Sequence, residues 1–205
     1  MKLSLVIKRF VDVIISFLIL CFLSPFLLFV SLIIRLDSEG AIIFKQQRVG
    51  ENGEKFYIYK FRSMYVSKNE EEPSPSNDND PRVTRVGRVL RKLSIDELPQ
   101  LVNVLKGDMS LIGPRAITSG EITKRINLYS EKTDKNLEEV KKMYRVRQMV
   151  KPGMTGLTQI NGRSSAGVVN ATELDYEYAK KFSLILDFKI IVGTIKILIT
   201  RRGTN

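Results

Sequence analysis

Histidine and tryptophan are absent from this chain, and cysteine occurs once, at Cys21. Without histidine there is no imidazole to serve as general base or metal ligand. A lone cysteine inside an apolar run excludes a disulfide framework and any Cys or Cys/His cluster for zinc or iron. A required metal would therefore be oxygen-bound, with Mg²⁺ the best fit. Acidic residues are scarce: 33 Lys and Arg stand against 22 Asp and Glu, a formal charge of +11. That balance favours anionic partners, whether acidic lipid, phosphorylated substrate or nucleic acid. With 205 residues, the chain makes one domain, or one domain plus a membrane element, and two large domains are excluded.

Charge is missing altogether from Val13 to Ile34, VIISFLILCFLSPFLLFVSLII. At ~1.5 Å per residue a straight helix of this length crosses a hydrocarbon layer of ~30 Å. No small-residue cleavage site follows it, so a removed signal peptide is not expected. Ser24-Pro25 interrupts the middle of the run. Pro25 cannot donate to the carbonyl of Cys21, so a kink or break is expected there, eased if Ser24 bonds back to Leu20. Two half-helices suit a re-entrant segment that enters and leaves by one face, and a kinked spanning helix is the alternative. Basic residues on both flanks, Lys2, Lys8 and Arg9 before and Arg35, Lys45 and Arg48 after, do not assign opposite sides.

Downstream, AIIFKQQRVG and KFYIYKFRSM flank ENGE, and alternating apolar and polar residues around Asn-Gly predict a β-hairpin. Lys60 and Arg62 would share one strand face, as a solvated pair or as a grip on phosphate oxygens. Residues 67–80 form a polar loop with two prolines. In DPRVTRVGRVLRKLS, Val83, Val86, Val89, Leu90 and Leu93 recur at helical spacing among arginines. A basic amphipathic element of this kind suits a membrane surface or phosphate contact; no nucleic-acid-binding module is recognisable around it.

LSIDELPQL, Leu93 to Leu101, sets Asp96 and Glu97 among apolar residues. Leu98, Leu101, Val102 and Leu105 mark a buried helical face, and Pro99 belongs in a first turn, so a helix should begin near Ser94 to Asp96. Ser94 and Glu97 fit an S-x-x-E capping box and Asp96 fits an N-cap, a purely structural use of these residues. The same helix start also keeps carboxylates ionised, ready to bind metal or attack phosphorus. KGDMSLIGPR then ends the helix at Gly107 and delivers Arg115, and KPGMTGLTQINGR ends on Arg163. Its glycines permit tight turns and close approach to a ligand, and neither a G-x-G-x-x-G nor a Walker motif is present.

The order of these motifs resembles the bacterial sugar transferases, specifically the small monotopic phosphoglycosyl transferases that act on polyprenol phosphates. The resemblance rests on K-R-x-x-D at Lys8, Arg9 and Asp12, the Ser24-Pro25 break, and Q-x-R-x-G-x-x-G running into YKFRSM from Gln46 to Met64. It continues through LRKLSIDELPQLVNVLKGDMSLIGPR and PGMTGLTQINGR. It implies an α+β, mainly helical protein. A re-entrant helix with its Ser24-Pro25 break would occupy residues 1–36, and a catalytic domain at the cytoplasmic face of the bacterial inner membrane residues 37–205. The site it implies has Asp96 as nucleophile and metal-side carboxylate, Glu97 as acidic partner, Mg²⁺ as cofactor, and Arg91, Arg115 and Arg163 at phosphate-contact positions. The implied reaction takes a phosphosugar from a UDP-sugar, releases UMP, and passes the phosphosugar to polyprenol phosphate.

Two features depart from the family pattern. Ala116 stands where GPR is usually followed by proline, and residues 117–150 make a longer connection than the common form, able to reshape the sugar pocket or add a surface helix. The tail FSLILDFKIIVGTIKILITRRG mixes apolar residues with Lys189 and Lys196. It suits an interfacial helix over 184–200 better than a second span, with a buried core helix as the alternative.

Overall fold

The computed structural model describes residues 2–65, 80–162 and 167–200. It opens with α1, Lys2–Asp37, which runs without interruption through Pro25. Helical hydrogen bonding continues on both sides of the expected kink or break, and the local bonding supplies a reason. Pro25 has no N–H for the Cys21 carbonyl, and the Ser24 hydroxyl donates to that same oxygen at 2.9 Å, one residue along from the expected Leu20 partner. The acceptor that proline would orphan is thereby satisfied.

Along its middle α1 is clothed in exposed apolar side chains, among them Phe17, Leu18, Phe22, Leu28 and Phe29. Its two ends are not. Near the start, Lys8 pairs with Asp187 at 2.7 Å and Arg9 donates to the carbonyls of Val104 and Leu105. Asp12 accepts from the Leu111 N–H at 3.1 Å. Near the finish, Val30 and Ile34 enter a core cluster with Phe61 and Leu90. Both ends of α1 are therefore seated on the same folded body.

The expected hairpin is present as β1, Ile43–Val49, and β2, Lys55–Phe61, antiparallel with Ile43 opposite Phe61 and Val49 opposite Lys55. Its turn carries Asn52 at φ 54° and Gly53 at φ 83°, the left-handed region that Asn and Gly tolerate best. Next comes α2, Arg85–Lys92, capped by Thr84, whose hydroxyl accepts from the Gly87 N–H. Leu90 is buried while Val89 and Leu93 stay exposed, so the apolar face splits between the core and the outside.

After a 3₁₀ turn at Ile95–Glu97 the chain enters α3, Gln100–Lys106, which ends at Gly107 with φ 94°. Then β3, Ser110–Ile112, pairs in parallel with β4, Gly153–Thr155. Between those strands the long connection folds as α4, Ser119–Lys132, and α5, Leu137–Arg147, so it adds two helices. They enclose Tyr129, Val140, Met143 and Tyr144, packed on Ile117, and Asn136 with Glu139 closes a capping box at the start of α5.

The chain finishes with α6, Leu157–Ile160, α7, Val168–Lys180, and α8, Leu184–Thr200. Ile190 of α8 is fully buried against Ile112 and Tyr178. Ile185, Phe188, Val192, Ile195 and Ile199 are exposed at three- and four-residue spacing. One face of α8 is thus core and the opposite face is an exposed apolar stripe. Among the described residues, eight helices and two two-stranded sheets make a mostly helical α+β fold. The expected polar loop lies outside the described residues except for Asp80.

Candidate active site

The expected Ser94–Glu97 capping box does not form. Ser94 sits at φ 55°, ψ 23° and its side chain makes no capping bond. An N-cap needs extended backbone to bring its oxygen over the next N–H groups, and the left-handed conformation points it elsewhere. Asp96 and Glu97 sit inside the 3₁₀ turn instead, and Pro99 holds the cap position of α3. The left-handed Ser94 backbone is the kind of local cost that functional sites carry.

Asp96 is only 9% exposed, and among the described residues none donates a hydrogen bond to it. Burial raises its carboxyl to about 6, with Glu97 adding to the rise while Lys60, Arg91 and Arg115 pull the other way. Glu97 accepts from Lys60 at 2.7 Å and lies 3.5 Å from Arg115. The cations and carboxylates thus form one cluster in which Lys60 acts on both acidic side chains.

Three pieces of local folding bring these groups together. Asn103, fully buried on α3, accepts from the Tyr59 N–H and donates to the Tyr57 carbonyl. This clamps β2, and so Lys60, to the helix that follows the carboxylates. Arg115 leaves β3 in a turn that bridges to Gly153. Arg147, at the end of α5, donates to the Arg115 carbonyl and pairs with Asp175 at 2.8 Å. Asp175 also accepts from Thr158 at 2.6 Å. This ion pair, about 5% exposed on each side, therefore ties the Arg115 turn, α5, α6 and α7 together.

A cleft opens beside the carboxylates, lined by Lys60, Glu97, Gln100, Arg115 and Arg48. The structure gathers Asp96, Glu97, Arg91, Lys60 and Arg115 as expected from sequence, and it separates Arg62 from them. Arg62 is 6% exposed and donates to the carbonyls of Ile34, Ser38 and Ala41. It closes the end of α1 and does not share a face with Lys60, because β2 ends at Phe61 and the chain turns toward α1 there. Arg163 lies outside the described residues. Arg48, Asn103, Arg147 and Asp175 were not singled out from sequence. A positive residue within the Q-x-R run was the one visible hint for Arg48; Asn103, Arg147 and Asp175 gain the roles described from partners at least 17 residues away.

Comparison with known proteins identifies the family. The family model for bacterial sugar transferases matches residues 3–201. The chain belongs to the bacterial sugar transferase family. This sugar transferase is 40% identical to the exopolysaccharide production protein PSS of Rhizobium leguminosarum bv. phaseoli, over 97% of its own length and 98% of the relative's. It is 43% identical to an undecaprenyl-phosphate glucose phosphotransferase of Komagataeibacter xylinus, over 92% of its own length and 35% of that protein's. It is 39% identical to a UDP-N-acetylgalactosamine-undecaprenyl-phosphate N-acetylgalactosaminephosphotransferase of Aeromonas hydrophila, covering 97% of the chain and 45% of the relative. The transferase thus spans nearly all of one relative and less than half of the other two.

Proposed function

We propose that this sugar transferase takes a phosphosugar from a UDP-sugar and delivers it to undecaprenyl phosphate at a membrane surface, with Asp96 as the nucleophile. The observation that carries the proposal is the Asp96–Glu97 pair set against Lys60, Arg91 and Arg115. Relatives named for this transfer align over almost the whole chain.

In the first half-reaction an Asp96 oxygen attacks the sugar-bearing phosphorus, the bond to the bridging oxygen breaks, and UMP leaves with that electron pair. In the second, an oxygen of the polyprenol phosphate attacks the same phosphorus and the Asp96 carboxylate is released. Lys60 and Arg115 stand where they offset the charge on the transferring group, and Arg91 adds to the same field. Glu97, held by Lys60, orients the acceptor; a phosphate acceptor near neutral pH is already anionic and needs no strong base. Asp96 must be ionised to attack, and a divalent cation bound beside it would favour that form.

Two adjacent carboxylates, with no third acidic side chain clustered beside them among the described residues, fit a Mg²⁺ held jointly with substrate phosphates better than a cage made by protein alone. Asp96 and Glu97 would hold it, and it would neutralise charge developing on the diphosphate.

The seating of α1 supports a re-entrant topology. Asp12 and Val30, at opposite ends of the exposed apolar stretch, are ~27 Å apart along the helix axis, and both pack on the same catalytic body. A helix crossing the bilayer would put those ends in different compartments. With the middle of α1 immersed in one leaflet and the stripe of α8 lying at the interface, both ends remain on one side. That side is the cytoplasmic face of the bacterial inner membrane, where UDP-sugars are made. The sugar is left open, since relatives named for glucose and for N-acetylgalactosamine match at 43% and 39% identity.

The test is UMP release by the purified chain in lipid, with Mg²⁺ and undecaprenyl phosphate, across a panel of UDP-sugars. Release that Asp96→Asn abolishes is expected; a variant with full activity would remove Asp96 from the role. Single cysteines at positions 4 and 38 should react with an impermeant thiol reagent from the same side, and labelling from opposite sides would sink the re-entrant reading.

A further inference from the structure

The Q-x-R of β1 is left unexplained by the residues placed in the site so far. Arg48 lines the cleft together with Lys60 and Arg115, although its side chain is only 12% exposed. Its guanidinium is incompletely matched. One terminal nitrogen donates to Gln46 Oε1 at 2.6 Å, an uncharged acceptor. The other reaches the Ala116 carbonyl at 3.3 Å and Glu121 Oε2 at 3.5 Å, both long. The third nitrogen, Nε, is buried with no acceptor. Burial weighs most against the Arg48 charge; Glu121 and Glu97 favour it while Arg115 and Arg125 oppose it. A buried guanidinium stays charged and carries five N–H donors, so an arrangement this open is costly unless an anion completes it.

Glu121 is a loosely held counter-ion. It belongs to the first turn of α4, is about one-third exposed, and has a second partner in Arg125, which binds it through Nε at 3.0 Å and Nη2 at 2.7 Å. Releasing Arg48 therefore leaves Glu121 paired.

We infer that Arg48 is a further donor-binding residue that grips the diphosphate of the sugar nucleotide in the cleft it lines with Glu97, Lys60 and Arg115, with Glu121 as the resting counter-ion that the diphosphate displaces. The inference rests on the donor class proposed above. It also gives the added helix α4 a role in setting donor affinity. Gln46 fixes one terminal nitrogen of the guanidinium, and the planar fork offers several N–H groups at once, which lysine cannot reproduce.

The deciding experiment titrates inorganic diphosphate, with Mg²⁺, into the full chain reconstituted in lipid nanodiscs, alongside steady-state UMP release. Arg48→Gln should weaken diphosphate binding by about tenfold, the loss of one charge-assisted contact, and raise donor KM more than it lowers kcat. Arg48→Lys should fall between the two. Glu121→Gln should tighten binding a few-fold, and that gain should vanish in the Arg48→Gln background. Unchanged affinity in a thermally intact Arg48→Gln protein, or no gain on Glu121→Gln, overturns the assignment, as does a wild type that binds no diphosphate. Should Arg48→Gln fail to fold, Glu121→Gln alone decides. Diphosphate binding that depends on Arg48 in a protein releasing UMP from no sugar would uphold this site and refute only the transfer reaction.

Discussion

Replacing Asp96 by asparagine should abolish turnover and at the same time make the protein more stable. Its carboxyl is lifted from 3.8 to about 6 by burial, so the folded protein holds a proton there that the unfolded chain releases. An acid raised in this direction contributes nothing unfavourable below the unfolded value. As pH rises through the interval between the two values, folding must bear the cost of an ionised, buried carboxylate. At about 1.36 kcal/mol per unit the cost reaches roughly 3 kcal/mol at pH 7, is about 1.6 kcal/mol at pH 5 and falls to about 0.5 kcal/mol at pH 4. Asparagine carries no such cost. The assay is thermal melting of wild type and Asp96→Asn in the same lipid, with chelator present and no donor, at pH 4, 5 and 7. The variant should melt higher at pH 7 by roughly 6 to 12 °C, at about 2–4 °C per kcal/mol, and the gap should close toward pH 4. An Asn variant that melts with or below wild type at pH 7, or a gap indifferent to pH, would refute the reasoning.

Other perturbations test the supports of the site. Arg62→Ala removes three donors from carbonyls at and just beyond the end of α1 and should cost about 3 kcal/mol in a chemical denaturation series, with little change in donor KM. Arg147→Met or Asp175→Asn leaves its partner buried and uncompensated and should cost about 3–5 kcal/mol in each case; the double variant should lose clearly less than the sum, and additivity in the cycle would show the pair to be uncoupled. In Gly153→Ala the new Cβ would meet the Gly113 nitrogen at 2.0 Å and the Thr155 carbonyl oxygen at 2.5 Å, both backbone. The β3–β4 pairing should be forced apart, with a loss above about 3 kcal/mol and a drop in UMP release as the Arg115 turn shifts.

The elements set by short-range pattern were legible in advance. The charge-free run made one long apolar helix, the Asn-Gly turn closed a hairpin, Gly107 ended α3, and 184–200 formed a helix, because each depends on hydrophobic spacing or on backbone preferences of a few adjacent residues. Misreadings arose where a local rule met a competing partner. Ser94 carried the right residue for a cap and the wrong backbone angle. Arg62 shared the strand spacing of Lys60, yet the end of α1 supplied carbonyl acceptors that drew it away. The strands β3 and β4, three residues each and 43 positions apart in register, have no periodicity long enough to announce them.

What the sequence alone determined was the inventory: carboxylates and cations without histidine, an apolar segment for the membrane, and the ordered motifs that place the chain in its family. Tertiary structure decided the arrangement. No local signal marks Asn103, Arg147 or Asp175, whose partners reach them only after the chain has folded back on itself. Tertiary structure also decided that both ends of α1 rest on one body. Helical spacing describes a face along an axis, whereas the charge felt by Asp96 and the side on which a helix end lies depend on groups brought close from far along the chain.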